Sequence, residues 1–177
     1  MRPAQTAFTG NTGSLTYAQL LRRVAGAAEV LAALPPVIGL LADDGVDWVV
    51  ADLAASAAGK TLVPVPAFFS RAQMAHLLAN AGVTHVLTDA SCGETAHSLG
   101  SPCSVIPQRE ASTLPRTAGA TRIIYTSGST GKPKGVRLGG RQIGHSVIAL
   151  AKASGGSPAK KKSDRSANAT STPKGTP

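Results

Sequence analysis

Aromatic side chains are scarce in this chain: one Trp, two Tyr and three Phe serve 177 residues. A core must therefore come from Ala, Val, Leu and Ile. Cysteine is nearly absent. Cys92 and Cys103 match no metal-ligand or redox spacing and cannot build a disulfide framework. They read as small, half-buried hydrophobes in a reducing compartment. No apolar run approaches the ~20 residues of a membrane span, and the start, "MRPAQTAFTGNTG", has no apolar stretch of the secretory kind. The cytoplasm is the expected compartment. Acid is short as well, with 9 Asp+Glu against 18 Lys+Arg and a net charge of +9. The excess is uneven. Residues 152–177 hold six of the basic side chains and a single acid, Asp164, so residues 1–151 are only mildly basic and need no nucleic acid to explain their field. At ~100–200 residues per domain, the length allows one domain and a tail.

What is present is a regular alternation. "LTYAQLLRRVAGAAEVLAAL" (15–34) predicts a helix: Thr16 and Gln19 have capping-box spacing, and Leu20, Leu21, Val24, Ala27, Ala28 and Leu31 recur at helical intervals. Pro35-Pro36 stops it. "VIGLL" (37–41) predicts a strand buried on both faces. After the acidic turn Asp43-Asp44-Gly45, residues 47–59 predict a second helix, and "TLVPVP" (61–66) an extended piece whose prolines point to a sheet edge or strand end. Residues 70–82 predict a third helix, with Ser70 and Gln73 repeating the capping box. "THVLTD" (84–89) and "TRIIYT" (121–126) predict further strands. The stretch 90–119 reads as loop around a short apolar piece, "CSVI" (103–106). "GVRL" (135–138) continues extended and 140–153 predicts a helix. Strands alternating with helices of about a dozen residues imply a layered α/β fold with a mostly parallel sheet and flanking helices.

From Ser154 the periodicity stops. "SGGSPAKKKSDRSANATSTPKGTP" has alanine as its one aliphatic type and cannot bury enough surface to offset ordering entropy, so residues 154–177 are expected to be a disordered Lys/Ser/Pro-rich tail. Its lysines could give salt-sensitive, non-specific affinity for nucleic acid. No aromatic residue interleaves them, which removes base stacking and disfavours nucleic acid as a partner.

The most informative stretch is "IIYTSGSTGKPKGV" (123–136). Thr126, Ser127, Ser129 and Thr130 place four hydroxyls within five residues. Gly128, Gly131 and Gly135 let backbone N–H groups crowd inward, and Lys132 and Lys134 supply charge suited to a polyphosphate. The Walker pattern does not apply: residue 126 is Thr rather than Gly, and Pro133 occupies the position of the Mg²⁺-binding hydroxyl.

"YTSGSTGKPKGV" resembles, over its twelve positions, the phosphate-binding signature of the acyl-activating, AMP-forming adenylate ligases. Acyl-CoA synthetases, luciferases and the adenylation domains of peptide synthetases make up that superfamily. "LTYAQL" looks like the family's opening helix. "DWVVADLAASAAGKTLVPVPAFFSRAQMAHLLANAGVTHVLTD" is similar to its first α/β stretch, with a leaning toward free-standing acyl-CoA synthetases. The resemblance implies a partial N-terminal adenylation domain over residues 14–153. It implies a nucleotide and a carboxylic acid as ligands, with ATP, Mg²⁺ and coenzyme A as cofactors of the parent reaction. There a carboxylate attacks the α-phosphate of ATP, and a thiol then displaces AMP from the acyl-adenylate. Thr126, Ser127, Gly128, Ser129, Thr130, Gly131, Lys132, Lys134 and Gly135 would hold the β- and γ-phosphates, with Lys134 near the leaving pyrophosphate.

The family also carries downstream an aromatic-Gly-x-Thr-Glu segment whose Glu binds Mg²⁺, an Asp for the ribose and a C-terminal catalytic Lys. Residues 137–177 match none of them. The expectation is therefore a truncated ligase that keeps only the phosphate loop and has no assignable catalytic or metal residue; a non-catalytic nucleotide-binding protein, or one binding nucleic acid through its basic tail, is the alternative. His76, His85, His97 and His145 read as isolated structural histidines, and Asp43, Asp44 and Asp47 as an acidic turn at a helix start rather than a metal site.

Overall fold

The computed structural model describes residues 3–10, 13–114, 121–126, 133–140 and 142. It begins with an antiparallel hairpin, β1 (Thr6–Gly10) and β2 (Gly13–Thr16), where the sequence reads only as a polar start. Its strands are too short for alternation to show. Tertiary packing holds them: Phe8 and Leu15 face each other across the pair and rest on the core.

The helix α1 (Tyr17–Ala32) starts at the predicted capping box. The Gln19 N–H donates to Thr16 Oγ1 at 3.3 Å, and the Thr16 N–H donates to Gln19 Oε1 at 2.9 Å. Leu21, placed on the apolar stripe by spacing, is instead 47% exposed at its margin, while Ala25 is buried. At the other end, Lys60 Nζ donates to the carbonyls of Ala32 (3.0 Å) and Leu34 (2.6 Å), which face the helix terminus without intrahelical donors.

The chain then runs through β3 (Val37–Leu41), α2 (Val46–Ala57), β4 (Thr61–Pro64), α3 (Arg71–Ala81), β5 (Val86–Thr88), α4 (Gly93–Ser98), β6 (Cys103–Val105), β7 (Thr121–Thr126) and β8 (Lys134–Gly139). Six of these strands form one sheet in the order β6-β5-β3-β4-β7-β8, parallel throughout except for the β7–β8 pair. Alternate side chains leave it in opposite directions. Ile38, Leu40, Leu62 and Leu87 pack with α1 and α2, whereas Leu41, Val63 and Val86 pack with α3. Burial on both faces is why these strands read as unbroken apolar runs.

Three expectations change. First, β4 is interior to the sheet, not at its edge. The N–H groups of Thr61 and Val65 donate toward β3, to Pro36 O and Leu40 O at 2.8 Å each. By alternation, the missing N–H of Pro64 faces β7, and the β4–β7 pairing ends before it, at Leu62–Arg122. The strand-end half of the proline reading therefore stands, and the edge half does not. Second, the stretch read as loop contains α4, too short for a period and burying only Ala96. Third, "CSVI" supplies β6, which pairs with β5.

After β6 the chain crosses α1: the Ala111 N–H donates to Arg22 O at 3.0 Å, and a Cβ on Gly26 would lie 2.3 Å from Arg109 O. The expected helix over 140–153 falls outside the described residues apart from Gly140 and Gln142, and the expected tail over 154–177 lies wholly outside them. Among the described residues, no helix is long and apolar enough to cross a membrane.

Candidate functional site at the β7–β8 hairpin

The strands β7 and β8 pair in register from Thr121–Gly139 to Thr126–Lys134. The glycine- and hydroxyl-rich stretch is thus the connection of an antiparallel hairpin. Its two predicted phosphate ligands at the ends, Thr126 and Lys134, stand opposite each other as the last pair of the ladder. Both are exposed, as is Gly135, while Pro133 is buried. Among the described residues no carboxylate pairs with Lys134. Ser127, Gly128, Ser129, Thr130, Gly131 and Lys132 lie outside the described residues.

The hairpin stem is held from both faces of the sheet. On one side, Arg122 Nε donates to Asp52 Oδ1 of α2 at 2.6 Å, and a second guanidinium nitrogen reaches Asp52 Oδ2. The two side chains are 16% and 13% exposed, and the fork geometry fixes β7 against the helix. On the other side, the Tyr125 hydroxyl donates to Asn80 Oδ1 of α3 at 2.6 Å, and its ring is 6% exposed. Burial pushes the Tyr125 phenol above its ordinary value. Gly135, directly across from Tyr125, leaves room for that ring: a Cβ there would lie 2.8 Å from Tyr125 Cζ. Close packing therefore gives this glycine a role beyond the backbone crowding expected from composition. Asn80, Asp52 and Arg122 carry no local motif, and only the spatial neighbourhood identifies them.

A second polar group sits at the carboxyl ends of β3 and β5. Two adjoining cavities of about 300 and 240 Å³ share Asp43 and Asp44. One is walled by Trp48, Pro64 and Phe68, the other by Asp47, Asp89 and Ser91. Asp89, which the sequence does not single out, organises the turn. Its Oδ2 accepts from the Asp43 N–H at 2.8 Å, and its Oδ1 from Ser91 Oγ at 2.7 Å and the Cys92 N–H at 2.9 Å. Burial opposes ionisation of Asp89, but these donors outweigh it and hold the carboxyl below its ordinary value. Asp47 lies in the first turn of α2 and pairs with Arg23 at 2.8 Å, in keeping with the helix-start reading. Among the described residues, no three His, Cys, Asp or Glu side chains converge as a metal-binding group.

Two of the isolated histidines make hydrogen bonds. His85 Nε2 lies 2.8 Å from Ser104 Oγ, between β5 and β6, and His97 Nδ1 lies 2.7 Å from Gly93 O within α4. His145 lies outside the described residues. Cys92 and Cys103 are both free thiols, the first buried and the second half-buried; burial raises the Cys92 thiol above its usual range.

A mostly parallel sheet between helical layers, joined to a hairpin whose connection resembles the adenylate ligases' phosphate-binding signature, fits an adenylate-forming architecture. The chain belongs to the AMP-binding enzyme family, which matches residues 1–171. It is 31% identical over 152 residues to a plipastatin synthase protein of Bacillus subtilis (strain 168), covering 79% of this chain and 6% of that protein. It is 34% identical over 148 residues to phenyloxazoline synthase MbtB of Mycobacterium sp. (strain MCS), covering 77% of this chain and 12% of that one. Among solved structures, o-succinylbenzoate CoA synthetase (MenE) from Bacillus subtilis, in complex with the acyl-adenylate intermediate OSB-AMP, superposes with a TM-score of 0.73 at 24% identity. The match covers 86% of this chain and 43% of that one. The amide bond synthetase McbA from Marinactinospora thermotolerans superposes at 0.72 and 25% identity, over 84% of this chain and 35% of that one. The chain thus spans a small part of the curated relatives' length and well under half of these two structures.

Proposed function

We propose that residues 14–153 are the nucleotide-binding portion of an acid-activating ligase of the acyl-CoA synthetase type, and that residues 154–177, which lie outside the described residues, take no part in it. Thr126, Ser127, Gly128, Ser129, Thr130, Gly131, Lys132, Lys134 and Gly135 hold the β- and γ-phosphates of ATP through hydroxyls, backbone N–H groups and two ammonium groups. One observation carries this reading: the ladder sets an exposed hydroxyl, Thr126, opposite an exposed lysine, Lys134, at the two ends of the same connection.

In the parent reaction a carboxylate attacks the α-phosphorus and pyrophosphate departs. Lys134 stabilises the charge that accumulates on that leaving group, an electrostatic contribution that needs no movement of the stem. Mg²⁺ bound to the phosphates would add charge neutralisation, and coenzyme A would supply the accepting thiol. The described carboxylates do not converge to hold the metal, and no residue between 137 and 177 matches the family's Glu, Asp or Lys. We therefore assign nucleotide binding to this stretch and acyl transfer to the intact enzyme. The cytoplasm, which holds both ATP and reduced thiols, suits this reading, and the free thiols of Cys92 and Cys103 support it.

The test is a calorimetric titration of the full chain with ATP and Mg²⁺. Lys134→Ala should weaken binding about tenfold or more, the size of a lost charge-assisted hydrogen bond. Removal of residues 154–177 should leave it unchanged. Equal affinity of Lys134→Ala and the parent chain would overturn the assignment.

A further inference from the structure

Asn80, Tyr125 and Gly135 form a three-part contact at the stem of the hairpin. Tyr125 precedes Thr126 on β7, and Gly135 follows Lys134 on β8. The two are cross-strand partners, one step down the ladder from the Thr126–Lys134 pair. The Tyr125 ring lies so close over Gly135 that no side chain fits between them. Its hydroxyl is tied to Asn80 Oδ1 at 2.6 Å, near the C-terminal end of α3. That helix is itself fixed by a capping box at Ser70 and by Gly82 in the left-handed conformation, φ 68°.

We propose that Asn80 and Tyr125 are positioning residues for the nucleotide site. By anchoring β7 to α3 and seating the ring on Gly135, they set the separation and direction of Thr126 and Lys134, the two ends of the phosphate-binding stretch. This rests on the proposed nucleotide binding and adds to it a residue from a different element, 45 positions earlier in the chain.

Ligand affinity falls by the fraction of time the groups that hold the ligand are out of place. The β7–β8 ladder alone ties the two strands only to each other. Tyr125 ties the end of that ladder to the helical layer, and its ring is buried with Val63, Leu77 and Leu78, so it swings only if the core opens. Asn80 fixes the hydroxyl end of the ring, and with it the position of β7 against α3.

The test uses the full chain and ATP with Mg²⁺ as the probe, with affinity by calorimetry and the unfolding midpoint in urea measured on each variant. Tyr125→Phe and Asn80→Ala should each weaken ATP about three- to tenfold, the range of one lost hydrogen bond, while a cooperative unfolding transition remains. Asn80→Asp keeps an oxygen acceptor for the hydroxyl and should restore affinity to within about twofold of the parent. That rescue is the readout a general loss of stability would not give. Parent-like ATP affinity in Tyr125→Phe and Asn80→Ala, alongside a weakened Lys134→Ala, would overturn the positioning role and leave the nucleotide site intact. Failure of the parent chain to bind ATP at all would overturn both.

Discussion

Arg122 on β7 and Asp52 on α2 form a two-pronged ion pair across 70 residues of sequence, with Nε to Oδ1 at 2.6 Å and both side chains less than one-fifth exposed. Removing one partner leaves a largely buried charge unsatisfied, whereas removing both does not. Asp52→Ala or Arg122→Ala should therefore destabilise the fold by about 2–4 kcal/mol. The double variant Asp52→Ala with Arg122→Ala should cost clearly less than the sum. Urea unfolding of the two single variants and the pair measures this, and additivity would count against a coupled pair.

Gly135→Ala should destabilise by about 1–3 kcal/mol, because the new methyl needs space already filled by the Tyr125 ring. Gly93→Ala is the contrast. That glycine opens α4 with nothing within 4 Å of a built Cβ, so the change should be neutral or slightly stabilising. Thermal melts of both variants decide it; equal costs would contradict the packing argument.

Asp89 gives a pH signature. Its carboxyl is held below the ordinary value by Ser91 and the N–H groups of Asp43 and Cys92, against the opposing effect of burial. A depressed folded-state value means that the stabilisation is full above the unfolded-state value, about 3.9. It is lost as pH falls through the lower, folded one. The stability gap between the parent chain and Asp89→Asn should be constant from neutral pH down to about 5 and shrink below about 4. Urea midpoints across that range report it. A gap that widens on acidification would reverse the sign of the argument.

"VIGLL" was legible because both its faces are buried, and "TRIIYT", only partly buried, from its β-branched and aromatic run; both bound their elements to the residue. The two capping boxes at Thr16 and Ser70 were equally plain, since their partners lie three residues away. What escaped was non-local or short. The β1–β2 hairpin depends on Phe8 and Leu15 meeting the core, and α4 has one buried residue to announce it. The prolines of "TLVPVP" suggested an edge, because the sequence does not reveal that β7 stops pairing before Pro64. At the candidate site, Thr126, Lys134 and Gly135 were singled out by the motif as expected phosphate ligands. Asn80 and Asp52 were not, because their partners are 45 and 70 residues away and no spacing rule connects them; Asp89 has local partners in Ser91 and Cys92, but its bond from the Asp43 N–H spans 46 residues.

The most direct measurement is a phosphorus NMR titration of ATP with the full chain in the presence of Mg²⁺. If the stretch between Thr126 and Gly135 holds the terminal phosphates, the β and γ resonances should shift and broaden first, with the α resonance following weakly, and Lys134→Ala should need about tenfold more protein, or more, to give the same pattern. Uniform broadening of all three resonances, unchanged in Lys134→Ala, would contradict the account.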